Sequence, residues 1–308
     1  MQNEIYLDAN ATTAVLPAAA QAALQAMQTL FGNPSSTHSA GLRANHMMVE
    51  ARAHAARVLG IGNGHLLFTS GATEAIQTAI FSALYALRKR QQLGQPVAGL
   101  LVYGATEHKA VPESLAHWNR CLGLELKLRV LPVNNEGRHD LNILRELAPE
   151  AALVCTMAAN NETGVVSDLA AIGTVLRHGN GDALWLVDCV QALGKLPLNL
   201  DSAGMDYAAF SGHKLYAPKG IGLLYVRSQA PFTALMAGGG QEAGQRSGTE
   251  NMAGIAALGC VLAALGDGHT FRSKNELAGF RDRLAQSLLE SFDGLVFNTP
   301  FATALPTV

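Results

Sequence analysis

Lys214 sits in Phe210-Ser211-Gly212-His213-Lys214, just past an apolar run and within a polar, glycine-containing turn. An amine partly withdrawn from water there favours its neutral form, the form that condenses with an aldehyde to a Schiff base. Asp188 closes a second apolar run, Leu184-Trp185-Leu186-Val187. At the carboxyl end of a strand in an α/β sheet it would face a ligand, and a buried carboxylate needs a cationic or hydrogen-bonding partner. A protonated pyridine nitrogen is one such partner, and the pyridinium is then an electron sink.

Three further segments supply groups that such a ligand needs. Phe68-Thr69-Ser70-Gly71-Ala72-Thr73-Glu74 reads as strand, small-residue turn and helix start. The free N–H groups and dipole of that helix start hold an anion, and Thr73 adds a hydroxyl donor. No GK[ST] follows, so this is not a Walker A loop. His108, in Thr106-Glu107-His108-Lys109, follows the apolar run at 100–103. It can lie over an aromatic ring or shuttle a proton. Asn161, in Asn160-Asn161-Glu162-Thr163-Gly164, and Gln191 can hydrogen-bond a phenolic oxygen, and Arg246 and Thr249 lie among glycines in a loop suited to clamping an anion. Each segment also has a plain structural reading: a solvated lysine, a turn-capping aspartate, an ordinary helix N-cap, a capping histidine, a flexible linker. Taken singly, the segments leave both readings open.

Composition narrows the partners. Against 24 acidic residues stand 22 basic ones, a formal net charge of −2. That balance argues against a nucleic-acid backbone binder and leaves small molecules or proteins. A hydrophobic content of 49% excludes a disordered chain. Cys121, Cys155, Cys189 and Cys260 are scattered without a CxxC pair, which suits neither a disulfide scaffold nor a metal site. The start MQNEIYLDAN lacks a basic segment leading into an apolar one, and no apolar run approaches a membrane span, so the expected location is cytoplasmic.

The elements that must position these residues follow from periodicity. Helices are predicted over 18–30, 41–59, 73–89, 108–121, 141–147, 169–178, 255–264 and 274–289, the first entered through Pro17. Strands are predicted over 66–69, 100–103, 124–130, 152–157, 183–188, 207–210 and 222–226. Near-continuous apolar strands alternating with helices imply an α/β fold, a mostly parallel sheet sandwiched by helices. The length of 308 residues predicts one large domain and part of a second. The tail contains the apolar stretch Gly294-Leu295-Val296-Phe297, and the last residues, ALPTV, read as the entry to another strand.

Together these segments resemble the cysteine desulfurases, within the class V aminotransferase branch of pyridoxal-phosphate enzymes of fold type I. The matching stretches are YLDANATT (6–13), FGNPSS (31–36), FTSGATE (68–74), TEHKAV (106–111), NNETGVV (160–166), VDCVQALGKLP (187–197), FSGHKLYAPKGIG (210–222) and RSGTEN (246–251). They occur in the family's order and cover essentially the whole chain.

The resemblance implies pyridoxal 5'-phosphate bound as a Schiff base to Lys214, which is also the proton-transfer base. It implies that Asp188 pairs with the pyridine nitrogen, that His108 stacks on the ring, and that Asn161 and Gln191 lie near the phenolic oxygen. Ala72, Thr73, Ser211 and His213 would hold the phosphate. Thr249 would reach the phosphate of the partner in a homodimer, and Asn33 would lie near the substrate carboxylate. The implied reaction converts L-cysteine to L-alanine and passes sulfur, as an enzyme persulfide, to an acceptor protein, for example in iron–sulfur cluster assembly. Selenocysteine lyase, a related β-lyase, or a non-catalytic member of a sulfur-transfer complex are the alternatives. The implied organisation is an N-terminal segment over 1–15 packing with the small domain, a large cofactor-binding domain over 16–255, and the start of a smaller α+β domain, incomplete, over 256–308. The family's nucleophilic cysteine and carboxylate-binding arginine are expected beyond Val308. None of the four cysteines matches that position, and Cys189 is expected to pack beneath the site. Ala158-Ala159 stands where many relatives have a histidine, and Ala217 where they often have glycine.

Overall fold

Strands form where β-branched, leucine-rich or aromatic runs are closed by glycine, proline or polar residues. In chain order they are β1 (His65–Thr69), β2 (Leu100–Gly104), β3 (Lys127–Leu131), β4 (Ala151–Met157), β5 (Leu184–Asp188), β6 (Tyr207–Ser211) and β7 (Gly222–Val226). The computed structural model describes residues 5–179 and 182–307. The strands make one seven-stranded sheet in the order β1-β7-β6-β5-β4-β2-β3. Only β7 runs against its neighbours, β1 and β6, and the other pairings are parallel. This is the expected mostly parallel sheet.

Period-two alternation sends each strand's side chains into two separate cores. From β5, Trp185 and Val187 enter one and Leu186 the other; from β4, Val154 enters the first while Leu153 and Cys155 enter the second. Helices α1 (Pro17–Gln28), α2 (Ser39–Leu59), α6 (Leu169–His178) and α8 (Met252–Asp267) close the first core through Ala19, Ala55, Ile172 and Leu258. Helices α3 (Ala72–Gln92) and α4 (Ala110–Cys121) close the second through Ile76, Ile80, Leu84 and Leu115. Both faces of the sheet are therefore covered, as continuous apolar strands require.

Helix ends follow local chemistry. Asp140 and Asp168 cap α5 (Leu141–Leu147) and α6, and Gly60 ends α2 in the left-handed conformation. Ser273 and Glu276 form a reciprocal capping box at α9 (Lys274–Ser291). Asn251 caps α8, which starts three residues earlier than periodicity suggested. No helix among the described residues is long and apolar enough to cross a membrane.

Three expectations need correction. The helix predicted from 108 starts at Ala110, so His108 lies on the approach to α4 rather than in it. The strand predicted from 124 starts at Lys127, because Gly123 and Glu125 turn the chain with φ of 60° and 56°. The last residues, expected to enter a further strand, make only a single bridge, Ala304 to Val165, and Val308 lies outside the described residues. The short α7 (Leu200–Ala203) was not expected at all.

Candidate active site

The carboxyl ends of β5 and β6, the start of α3 and the N-terminal segment enclose a cavity of about 720 Å³. Asp188 ends β5, Ser211 ends β6, and His213 and Lys214 occupy the 3-10 turn that follows β6. The cavity is lined by Ala72, Thr73, His108, Asn161, Asp188, Gln191, Ser211, His213 and Lys214. Two expected residues lie elsewhere. Asn33 is exposed, its Oδ1 accepting from the Ser35 N–H at 2.9 Å. Thr249 lines a neighbouring cavity with Arg246, Glu250 and Asn251.

Lys214 Nζ donates to the carbonyl oxygens of Asn10 (2.5 Å) and Ala11 (2.7 Å). Burial lowers its pKa, and the carboxylates of Asp8, Asp188 and Glu162 offset part of that shift. The direction favours a neutral amine. Asp188 Oδ1 accepts from the Val190 N–H at 2.9 Å. Burial raises the Asp188 pKa, against that N–H and the charges of His108 and Lys214. Its carboxylate therefore gains from a cation placed in the cavity.

His108 Nδ1 accepts from the Ala110 N–H at 3.2 Å, which ties the ring to the first turn of α4. Thr106, two residues before it, accepts at its carbonyl from Asn160 Nδ2 at 3.2 Å, so the His108 and Asn161 segments are cross-linked. His213 Nδ1 lies 3.1 Å from Thr12 Oγ1, and its carbonyl accepts from the Thr13 N–H and hydroxyl, both at 2.9 Å. Burial, then the charges of Lys214 and Lys219, lowers the His213 pKa.

The start of α3 has the form of an anion cradle. Gly71, its N-cap, makes no side-chain capping bond, and its φ of 150° is a conformation that L side chains rarely adopt. The N–H groups of the first turn are thus left for a ligand beside Ser211 and His213. Glu74 in that turn does not cancel the cradle's polarity: its carboxylate is taken up by Arg246 at 2.9 Å and by the Ser70 N–H at 2.7 Å. An uncapped, glycine-shaped cradle at one end and an aspartate with a lysine at the other fit a phosphorylated, aldehyde-bearing pyridine.

Sequence reasoning missed several residues at this site. Asp8, Asn10 and Ala11 line the cavity, although their stretch had been matched without a role. Lys195 holds Gln191, with Nζ 2.5 Å from its Oε1. The signal was present, since Lys195 falls four residues after Gln191 on the same turn of chain. No cysteine lines the cavity. Cys155 and Cys189 are buried, and burial pushes both thiols well above their ordinary pKa. Cys189 is buried in the first core, near the Asp188 carboxylate.

Comparison with known proteins agrees with this geometry. The sequence profile of the aminotransferase class-V family matches residues 5–307. A protein named cysteine desulfurase 2, from Trichormus variabilis, is 42% identical over 298 residues, covering 96% of this chain and 70% of its own length. A solved NifS-like protein superposes with a TM-score of 0.86 at 33% identity, covering 98% of this chain and 80% of that one. A structure described as SspA in complex with cysteine superposes with a TM-score of 0.82 at 26% identity, covering 98% of this chain and 82% of its own. A family match across nearly the whole described chain, joined to a lysine, an aspartate and an anion cradle around one cavity, places this chain in the cysteine desulfurase family of the class V aminotransferases.

Proposed function

We propose that this chain is a pyridoxal-phosphate-dependent cysteine desulfurase, which takes sulfur from L-cysteine and leaves L-alanine. The observation that carries the reading is the shared cavity of Lys214, Asp188 and His108 with the Gly71–Thr73 cradle. When bound, the cofactor supplies an electron sink for the pair left at the substrate's Cα. Ala72, Thr73, Ser211 and His213 would bind its phosphate, and Asp188 would hold the ring nitrogen in its protonated form. His108 would contact the ring, and Asn161 and Gln191 would orient the phenolic oxygen. Lys214, its amine biased towards neutrality, takes the Cα proton and returns a proton on the way to alanine.

None of the four cysteines lines the cavity, so the thiol that receives the sulfur is a different one. As a thiolate it attacks the substrate sulfur, the Cβ–S bond breaks with its electron pair passing to the substrate's carbon, where a proton completes the alanine methyl group, and the sulfur stays on that thiol as an enzyme persulfide until the acceptor takes it. We assign Thr249 to the site of a partner subunit in a homodimer; its place outside its own chain's cavity, beside Arg246, supports this. The acceptor is a sulfur-carrying protein such as one serving iron–sulfur assembly, and the setting is cytoplasmic. The boundary of the large domain is better drawn after α8 than at 255, because Ala257, Leu258, Val261 and Leu262 are buried in the first core.

Borohydride reduction of the cofactor-loaded protein, followed by peptide mapping, should place a pyridoxyl group on Lys214. The loaded protein should absorb in the visible and form alanine from cysteine when a thiol acceptor is supplied. Label on another lysine, or none, overturns the site assignment. A labelled Lys214 without alanine overturns only the choice of reaction.

A further inference from the structure

Gln191 stands in the wall of the cavity, 3% exposed, and its side-chain amide is held by two partners of opposite kind. Lys195 Nζ donates to Oε1 at 2.5 Å, and Nε2 donates to the Asn10 carbonyl at 3.1 Å. An ammonium has no lone pair to offer, and a carbonyl has no proton. Turning the amide over would set its NH2 against the ammonium and its oxygen against the carbonyl oxygen. Only one orientation is therefore open to it. Burial, then the Lys214 charge, brings the Lys195 pKa down only to about 8, which leaves the group a cation at pH 7.

The second N–H of that amide is spare. The Asn10 carbonyl has two lone pairs, and Lys214 Nζ takes the other one at 2.5 Å. Among the described residues no further group accepts from Gln191 Nε2. A buried N–H needs an acceptor, and the open space beside this one is the cavity. Lys195 does not line that cavity, and a second bond, to Asn10 Oδ1 at 3.1 Å, fixes its ammonium in place. The oxygen end of the amide thus faces a residue outside the cavity lining, and the nitrogen end faces one within it.

We infer that Lys195 is a positioning residue: by locking the Gln191 amide in this one orientation, it makes the cavity offer an N–H to a ligand oxygen, and so selects a ring that carries a phenolic oxygen over one that lacks it. Lys195 acts through Gln191 and needs no contact with the ligand. An anionic oxygen gains most, because hydrogen bonds to charged acceptors are the stronger ones. The lock stands on the four distances above; the identity of the ligand oxygen rests on the proposed cofactor.

Two probes without an aldehyde, which cannot form a Schiff base, test this in the cofactor-free full chain. One is 4-deoxypyridoxine 5'-phosphate, which has the phenolic oxygen; the other is its 3-deoxy counterpart, which lacks it. The parent should bind the first roughly tenfold more tightly, the equivalent of one hydrogen bond. Lys195→Met and Gln191→Ala should each abolish that preference, and the double variant should lower it no further. Lys195→Arg, still a cation that only donates, should recover part of it. Gln191→Glu keeps the bond to Lys195 but has no N–H, and it should lose the preference as Gln191→Ala does. If Lys195→Met weakens both probes alike and keeps their ratio, the role is merely structural and the proposal is overturned. A parent that does not distinguish the probes, or a double variant worse than either single one, overturns it too. If the parent binds neither probe, the cofactor reading fails, and the lock is then judged on hydrogen exchange of the Gln191 NH2 followed by 15N NMR. Exchange roughly tenfold faster in Lys195→Met upholds the lock, and equal rates overturn it.

Discussion

Lys195 Nζ donates to Gln191 Oε1 over 2.5 Å, and this bond decides which way the Gln191 amide faces. With Oε1 engaged, Nε2 is turned to the Asn10 carbonyl at 3.1 Å, and Lys195 also reaches Asn10 Oδ1 at 3.1 Å. Burial, then the nearby Lys214 charge, lowers the Lys195 pKa to about 8. Two lysines and a glutamine thus tie the N-terminal segment across the cavity mouth. Lys195→Met keeps the stem and removes the donor, leaving two acceptors unpaired. Denaturant unfolding should report a loss of about 1–3 kcal/mol. Lys195→Arg should recover only part, because a planar guanidinium does not match a point donor. A loss below a few tenths would show that the tie carries no stability.

Acid should weaken the fold through His139. Its pKa falls from the ordinary 6.5 to about 4 on folding, so the folded state resists protonation. The stability tied to this group is fully present above pH 6.5 and is lost as pH falls towards 4, because the unfolded chain takes the proton first. The full shift corresponds to about 3 kcal/mol. Urea unfolding between pH 7 and 4.5 should show a steeper loss in the parent than in His139→Gln, which cannot titrate. Parallel pH dependences would remove His139 as the cause.

Much of the cofactor set was legible because its members fall at the ends of apolar runs: Asp188 after 184–187, Ser211 to Lys214 after 207–210, Thr73 after 66–69. Strand ends in an α/β sheet converge, so one-dimensional position became a three-dimensional site. His139 was harder to read. Its partner Ser167 is distant in the chain, and a lone histidine in the turn at 134–140 carries no local sign of burial. The strand entry expected at the last residues, ALPTV, came down to one bridge for a related reason: an apolar run says nothing about whether a neighbouring strand exists to pair with it.

Arg246 should anchor its loop through Glu74. Arg246 Nε lies 2.9 Å from Glu74 Oε1, and Nη2 lies 3.2 Å from Oε2, a two-pronged contact. Burial alone would raise the Glu74 pKa, but the Arg246 and Ser70 hydrogen bonds outweigh it and the net shift is downward. The contribution is therefore present above pH 4.5 and is lost as pH falls through the depressed folded value. Arg246→Met should cost about 1.5–3 kcal/mol at pH 7, the range for hydrogen bonds to charged groups, and much less at pH 3. Limited proteolysis should then cut within 238–251. A loop as resistant as the parent's would show that the arginine does not anchor it.

Gly71 is the residue on which the anion cradle turns. Its φ of 150° suits glycine, yet an added Cβ would meet nothing closer than Ser211 Oγ at 3.9 Å. Gly71→Ala therefore introduces backbone strain without a clash. The strain should cost about 1–3 kcal/mol in thermal unfolding. Where the peptide relaxes instead, the N–H groups of Ala72 and Thr73 swing out of line, and inorganic phosphate should bind the cofactor-free protein several-fold more weakly. Gly268, which ends α8 with φ of 69° and nothing within 4 Å of an added Cβ, is the control. Gly268→Ala should cost about 1 kcal/mol and leave phosphate binding unchanged. Equal phosphate affinity in Gly71→Ala and the parent would show that the cradle does not depend on this backbone.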